Sequence, residues 1–235
     1  MITKLLDDKI ALVTGAGAGI GRAAALEFAA QGGKVVVADL NEDGGLQTVH
    51  MIERAGGKAA FVRTDVSKEA DVQKLVARTL ETFGGLNVAF NNAGIEGQIA
   101  PTADCTLENF ERVIGINLRG VFLCLKHEIA HMAAHGGGAI VNTASAAGLV
   151  GFAGMPAYVA SKHGVNGLTK NAAVEYAKKG IRVNSVCPGA IRTRMLQDIS
   201  KAMGPQNMDE AFGPMHPMGR FGTAEEVAKL VTWLL

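Results

Sequence analysis

The stretch PAYVASKHG, Pro156 to Gly164, holds Tyr158, one of two tyrosines in the chain, with Lys162 four residues later. A phenol titrates at about 10 and is a poor base at neutral pH. A neighbouring ammonium stabilises the phenolate and lowers that value. Residues i and i+4 of a helix share a face, so the spacing predicts Tyr158 and Lys162 side by side. Ser145 stands thirteen residues before Tyr158, at the end of a strand-like run. Its hydroxyl can hold a reacting oxygen while the tyrosine moves the proton. Singly, each residue has a plainer reading: an aromatic anchor beside a solvated charge, or a serine capping a turn. His163, at i+5 from Tyr158, is turned away. His127, His131 and His135 recur at i,i+4, but no carboxylate or cysteine pattern completes a ligand set, so no metal is expected.

A second constellation lies near the start. TGAGAGIG, Thr14 to Gly21, separates a strand-like run from a helix-like one and supplies Gly15, Gly17, Gly19 and Gly21. Glycines there allow a tight turn and close approach of backbone to a pyrophosphate, whose charge suits a helix N-terminus. A purely structural turn is the alternative, and the missing GK[ST] ending excludes a Walker A loop. Asp39 ends the second strand-like run, eighteen residues after Gly21. A carboxylate there can accept bonds from an adenosine ribose and repel a ribose phosphate, which favours NAD over NADP. Leu40 and Asn41 follow it, with no compensating cation. The plainer reading of Asp39 is a helix cap. Asp65, followed by Val66, ends the third run and can face an adenine.

The elements that must position these residues alternate. KIALVTG, KVVVAD, KAAFVRTD, LNVAF, GGAIVNTAS and GIRVNSV read as strands, separated by helix-compatible segments. Ser67 is expected to cap a helix running to Gly84, one long helix is expected over 107–135, and another over 156–179. Strands of near-continuous Val, Ile and Ala predict a parallel sheet covered by helices on both faces. The repeated β-α-β order predicts a single doubly wound Rossmann-type α/β domain over 1–235, with ligands outside the carboxyl ends of the strands. Residues 192–222 break the rhythm with Met195, Met203, Met208, Met215 and Met218 among Pro205, Pro214 and Pro217. They read as a substrate lid, or as filler at a subunit contact. The chain stops inside an apolar helix, which would leave Trp233, Leu234 and Leu235 exposed unless something covers them.

Composition narrows the classes. In 235 residues, 23 basic side chains balance 22 acidic ones, with no long basic run, which argues against nucleic acid as the partner. Cys105, Cys124 and Cys187 form an odd set without CxxC spacing, which suits a reducing, cytoplasmic setting. No apolar run reaches membrane-spanning length, and no signal peptide is expected.

Taken together, these motifs resemble the short-chain dehydrogenase/reductase family over essentially the whole chain. TGAGAGIG matches its TGxxxGxG cofactor loop through Thr14, Gly15, Gly19 and Gly21, with Ile20 inside it. NNAG, Asn91 to Gly94, matches the segment that supports the sheet and lines the cofactor site. Asn117, Ser145, Tyr158 and Lys162 fall on its active-site positions. PGAIRT, Pro188 to Thr193, looks like the loop beside the nicotinamide, where Pro188, Gly189, Ile191 and Thr193 would be contacts. The resemblance implies that Tyr158 is general base in oxidation and acid in reduction, and that Ser145 polarises the substrate oxygen. Lys162 would bond the nicotinamide ribose and lower the tyrosine pKa, and Asn117 would hold a water of a proton relay. From the residue alone, Asn117 could equally bond helix backbone.

The implied reaction is hydride transfer between NAD and a secondary alcohol, cyclic diol, sugar or steroid-like hydroxyl, in a homotetramer or else a homodimer. Ala146, Ala147, Gly148, Phe152 and Met155 are the candidate substrate lining; Glu96 either reaches a substrate hydroxyl or faces solvent. The alternatives are an NADPH-dependent 3-oxoacyl-acyl-carrier-protein reductase and a dinucleotide-binding sensor without turnover. Two features depart from the family: Asn87 stands where many members carry aspartate, and the usual final strand and glycine-rich tail are absent from the sequence.

Overall fold

All five residues of β1 (Ile10–Thr14) are buried, because helices cover both faces of the sheet to which it belongs. Side chains alternate across a strand. Ala11 and Val13 join Phe28, Val35 and Val37 in one apolar core, while Leu12 joins Val36, Leu75 and Leu125 in the other. A run with no polar face is thus explained by two cores rather than one.

The computed structural model describes residues 4–196, 198 and 216–235. Met203, Met208, Met215, Pro205 and Pro214 of the expected lid lie outside the described residues. β2 (Lys34–Asp39), β3 (Lys58–Arg63), β4 (Val88–Asn91), β5 (Gly138–Thr143) and β6 (Ile181–Val186) complete a parallel sheet in the order β3-β2-β1-β4-β5-β6. On one face lie α1 (Gly19–Ala30), α2 (Glu42–Arg54) and the last helix, α7 (Ala224–Leu234). On the other lie α3 (Glu69–Phe83), α5 (Gly120–Ala134) and α6 (Pro156–Tyr176), with α4 (Leu107–Ile114) against α6. This is the doubly wound arrangement expected from the sequence.

Three local expectations need correction. Ser67 does not cap α3; its hydroxyl donates to Asp65 Oδ1 at 2.6 Å, and the helix begins at Glu69 after Lys68. The stretch over 107–135 is not one regular helix, because a π turn at Gly115–Arg119 separates α4 from α5. Such turns insert one extra residue and re-aim the side chains beside them. At the chain end only Trp233 is exposed, at 72%. Leu234 and Leu235 pack on the α1-side core, and Arg182 donates to their carbonyls at 2.6 and 3.0 Å.

Candidate active site

The strand order reverses between β1 and β4, and there a cleft of ≈ 650 Å³ opens at the carboxyl ends of the strands. Gly15, Gly19 and Ile20 form its first wall. Gly15 has φ +65°, and a Cβ on it would lie 2.8 Å from the Ala93 Cα, so no other residue fits. Ala18 at the N-cap of α1 offers no side-chain cap, which leaves the first-turn N–H groups available to an anion. Gly21 does not line the cleft; it lets α1 lie against the Gly15 carbonyl, where a Cβ would collide.

Asp39 stands at the cleft edge beside Leu40. Its Oδ2 accepts from the Gly17 N–H at 2.7 Å and its Oδ1 from the Asn41 N–H at 2.8 Å. Asn41, not Asp39, caps α2. Arg22, the nearby cation, is already committed: it donates to the Gly17 carbonyl, to the Gly44 carbonyl at 3.2 Å and to Thr48 Oγ1 at 3.0 Å. Asp65 and Val66 form the adjoining wall. Burial raises the Asp65 pKa, but the Ser67 hydroxyl and amide and the Lys68 ammonium outweigh it and hold the carboxyl below its ordinary value.

Tyr158 and Lys162 reach the cleft from the first two turns of α6, which Pro156 starts at a position where no N–H is needed. Lys162 is 3% exposed, and its Nζ donates to the Thr143 carbonyl at 2.7 Å and lies 5.6 Å from the Tyr158 ring centre. Burial lowers its pKa to about 8, against a smaller upward pull from Cys187. Burial likewise raises the Tyr158 pKa; the Ser145 hydroxyl pulls it down and the Glu96 charge pushes it up. The expected depression of Tyr158 by Lys162 is therefore not what the geometry produces. The ammonium is directed at a carbonyl, and desolvation of the phenolate dominates. Ser145 both faces the phenol and caps a short 3-10 turn by accepting from the Ala147 N–H at 3.2 Å.

Asn117, fully buried in the π turn, is a clamp. Its Oδ1 accepts from the Ile95 N–H and its Nδ2 donates to the Ile95 carbonyl, both at 2.8 Å. It also donates to Ser161 Oγ at 3.2 Å, whose own hydroxyl donates to the Tyr158 carbonyl at 2.7 Å. Asn117 thus ties the chain after NNAG to the helix carrying Tyr158, rather than bonding its own helix. Gly94 lies in the cleft wall; a Cβ on it would come 3.2 Å from Asn117 Oδ1 and 3.5 Å from Lys162 Nζ.

Asn91 does not line the cleft. Strand alternation turns it into the sheet interior, where its Nδ2 donates to Glu128 Oε2 at 2.9 Å and to Asn142 Oδ1 at 3.0 Å. Its neighbour Asn92 takes the place, accepting from Thr143 Oγ1 and donating to the Thr14 and Gly15 carbonyls. The two-residue period of β4 was the available signal.

Pro188, Gly189, Ile191 and Thr193 line the far side of the cleft, and so does His216, which sequence reasoning missed because it sits in an irregular Met- and Pro-rich stretch. Ala146, Ala147, Phe152, Met155 and Met195 make the remaining lining largely apolar. Gly148 instead packs under α6, its carbonyl accepting from Asn166. His163 is exposed and bonded to the Val159 carbonyl. His131 and His135 stack on one another, His127 meets Glu69, and no group of three metal-ligating side chains occurs among the described residues.

A family profile described as enoyl-(acyl carrier protein) reductase matches residues 15–235. Cyclohexanol dehydrogenase of Acinetobacter sp. (strain SE19) is 45% identical over 235 residues, which are 100% of this chain and 90% of that protein. A 2,5-dichloro-2,5-cyclohexadiene-1,4-diol dehydrogenase of Sphingobium indicum is 47% identical over 232 residues, covering 98% and 90%. The crystal structure of levodione reductase superposes with a TM-score of 0.95 at 41% identity, over 97% of this chain and 91% of that one. The chain belongs to the short-chain dehydrogenase/reductase family. It is an oxidoreductase acting on the CH–OH group of secondary alcohols, and a dinucleotide cofactor is expected from the family.

Proposed function

We propose that the protein is an NAD-linked dehydrogenase of alicyclic secondary alcohols, with Tyr158, Ser145 and Lys162 as catalytic residues. The observation that carries this reading is a single cleft in which an apolar pocket meets the Ser145–Tyr158 pair beside a glycine cradle edged by Asp39. The cradle fits a dinucleotide: Gly15 admits close backbone approach, α1 presents uncapped N–H groups, and Asp39 offers a carboxylate to a ribose. The same carboxylate would repel a ribose phosphate, and Arg22 is committed to carbonyls. Both features favour NAD over NADP and weigh against the NADPH-dependent acyl reductase.

Gly15, Gly19, Ile20, Asp39, Leu40, Asp65 and Val66 would hold the adenosine half of the cofactor. Gly94, Pro188, Gly189, Ile191 and Thr193 would flank the other half. When bound, NAD accepts the hydride. Ser145 holds the substrate oxygen, and Tyr158 takes the hydroxyl proton in oxidation or gives it in reduction. Lys162 would hold the cofactor ribose through the Nζ protons that the Thr143 carbonyl leaves free. Asn117, through Ile95 and Ser161, holds the chain after NNAG against the helix that carries the phenol. Met195 contributes an apolar contact to the cleft, while most of the segment expected as a lid lies outside the described residues.

The substrate side of the cleft favours a compact ring of carbon: its lining is alanine, phenylalanine and methionine. Two of the relatives are named for six-membered alicyclic substrates, cyclohexanol and a dichlorocyclohexadienediol. We further infer a homo-oligomer, a tetramer or else a dimer, joined through the apolar groove of Ile114, Leu118, Phe122 and Leu168 on the outer face of α5 and α6. A cytoplasmic setting accords with three free thiols, and no helix among the described residues is long and apolar enough to cross a membrane.

Initial rates with NAD and NADP over a panel of cyclohexanols, repeated for Tyr158→Phe, test the reading. NAD preference is expected, with turnover in the variant reduced about 10²- to 10⁴-fold. Undiminished turnover in Tyr158→Phe would overturn the mechanism, and a clear NADP preference would overturn the cofactor assignment.

A further inference from the structure

His216 heads the leg of chain that returns to the cleft, and its surroundings are built around it. The outgoing loop, Pro188–Thr193, and the returning residues meet in a short parallel contact between Ile191 and Gly222. Gly222 N–H donates to the Ala190 carbonyl at 3.1 Å, and the Arg192 N–H donates to the Gly222 carbonyl at 2.9 Å. The Ala190 N–H has no place in that ladder. It donates instead to His216 Nε2 at 3.0 Å. An imidazole that accepts on Nε2 is neutral and carries its proton on Nδ1.

The ring also has a fixed aromatic neighbour. It packs edge-on against Phe221, with ring centres 5.7 Å apart and planes at 84°, and the Arg192 guanidinium lies 5.2 Å from the centre of the same phenyl ring. Phe221 is 4% exposed, so it is a fixed backstop. The returning leg is itself anchored to α7, because Arg220 pairs with both oxygens of Glu226 and Thr223 completes a capping box with Glu226. At Gly189 a Cβ would come 3.1 Å from His216 Nε2. The loop backbone and the imidazole thus approach each other as closely as glycine permits.

We propose that His216 is a positioning residue that pre-orders the Pro188–Thr193 loop for the nicotinamide end of the cofactor. This rests on the NAD reading above. Without an acceptor for the Ala190 N–H, the loop samples arrangements that do not receive the nicotinamide, and binding must bear the cost of ordering it. ADP-ribose, which lacks only the nicotinamide, makes no demand on the nicotinamide-facing end of the loop and bears little of that cost.

Calorimetric titration of the full chain with NAD and, separately, with ADP-ribose tests the proposal on wild type, His216→Phe and His216→Gln. The phenylalanine keeps a ring against Phe221 but removes the acceptor; the glutamine restores an acceptor oxygen. In His216→Phe the NAD dissociation constant is expected to rise about three- to tenfold, the effect of one hydrogen bond, while that of ADP-ribose stays within about twofold. kcat at saturating NAD should change far less than the KM for NAD. His216→Gln should recover most of the lost affinity, and melting curves check that each variant folds. Unchanged NAD affinity in His216→Phe, equal weakening of NAD and ADP-ribose, or a His216→Gln variant that binds NAD as weakly as His216→Phe would each overturn the proposal. If His216→Phe does not fold, the NAD affinity of His216→Gln decides: within about twofold of wild type supports the proposal, and a larger loss sinks it. Failure of the wild-type protein to bind NAD at all is a separate outcome, and it sinks the cofactor reading itself.

Discussion

Glu128 is 1% exposed on α5, in the core beneath the cleft. Its Oε2 accepts from Asn91, but Oε1 has no partner, and neither does Asn91 Oδ1. Burial raises its pKa from 4.5 to about 7, against a smaller downward pull from the Asn91 amide. For an acid whose folded pKa is raised, the sign is as follows. Below pH 4.5 both folded and unfolded chains hold the proton and the group contributes nothing. Between 4.5 and about 7 the unfolded chain releases it while the folded chain keeps it, so stability falls as pH rises. Above about 7 the loss is complete. A shift of roughly 2.5 pH units at 1.36 kcal/mol each amounts to about 3 kcal/mol.

Glu128→Gln is neutral at every pH, retains an acceptor for Asn91, and replaces the unpartnered Oε1 with an amide donor. Urea unfolding followed by circular dichroism at half-unit steps from pH 4.5 to 8 reads the effect, with the difference between variant and wild type cancelling all other titrations. The variant should gain on wild type by about 3 kcal/mol across that interval and then run parallel to it. Parallel curves over the whole interval would refute the reasoning, because they would mean that Glu128 titrates alike in both states.

Three further outcomes follow from the site. Replacing Asp39 with Ala removes a charged acceptor worth about 1.5–3 kcal/mol to a ribose hydroxyl, so the ratio of kcat/KM for NAD over NADP should fall at least about tenfold; an unchanged ratio would exclude Asp39 from cofactor choice. Because burial holds the Tyr158 phenol above its ordinary 10.0, alcohol oxidation, which needs the phenolate, should accelerate with rising pH, and ketone reduction, which needs the phenol, should slow. Rate profiles in both directions check this, and an oxidation plateau already reached below about pH 8 would contradict it. Phe122 is 47% exposed in the groove between α5 and α6; Phe122→Glu should shift the sedimentation of the protein toward the monomer, and unaltered sedimentation would remove that face from the assembly.

What could be read beforehand divides along a physical line. The sheet, its order of elements and the glycine cradle were legible because they follow from local spacing: two for strands, three to four for helices, and glycines at a turn. The Tyr158–Lys162 face was legible for the same reason. The pKa of that tyrosine was not, since it depends on how much water the tertiary fold removes and on the Thr143 carbonyl that engages Lys162 from nineteen residues away. Glu128 stands next to Lys126 and His127 in α5 with nothing local to distinguish it; its partner Asn91 is thirty-seven residues distant and on another element. Asn91 and Asn92 are adjacent and chemically identical, yet one braces the core and the other lines the cleft, because a strand sends neighbours to opposite sides. His216 meets the Ala190 amide across twenty-six residues and an irregular segment. Local periodicity therefore identifies which side chains can do chemistry together, whereas the charge each one carries is set by desolvation. A test of protonation, such as the Glu128→Gln titration, probes what the fold adds to the sequence more directly than a test of residue identity does.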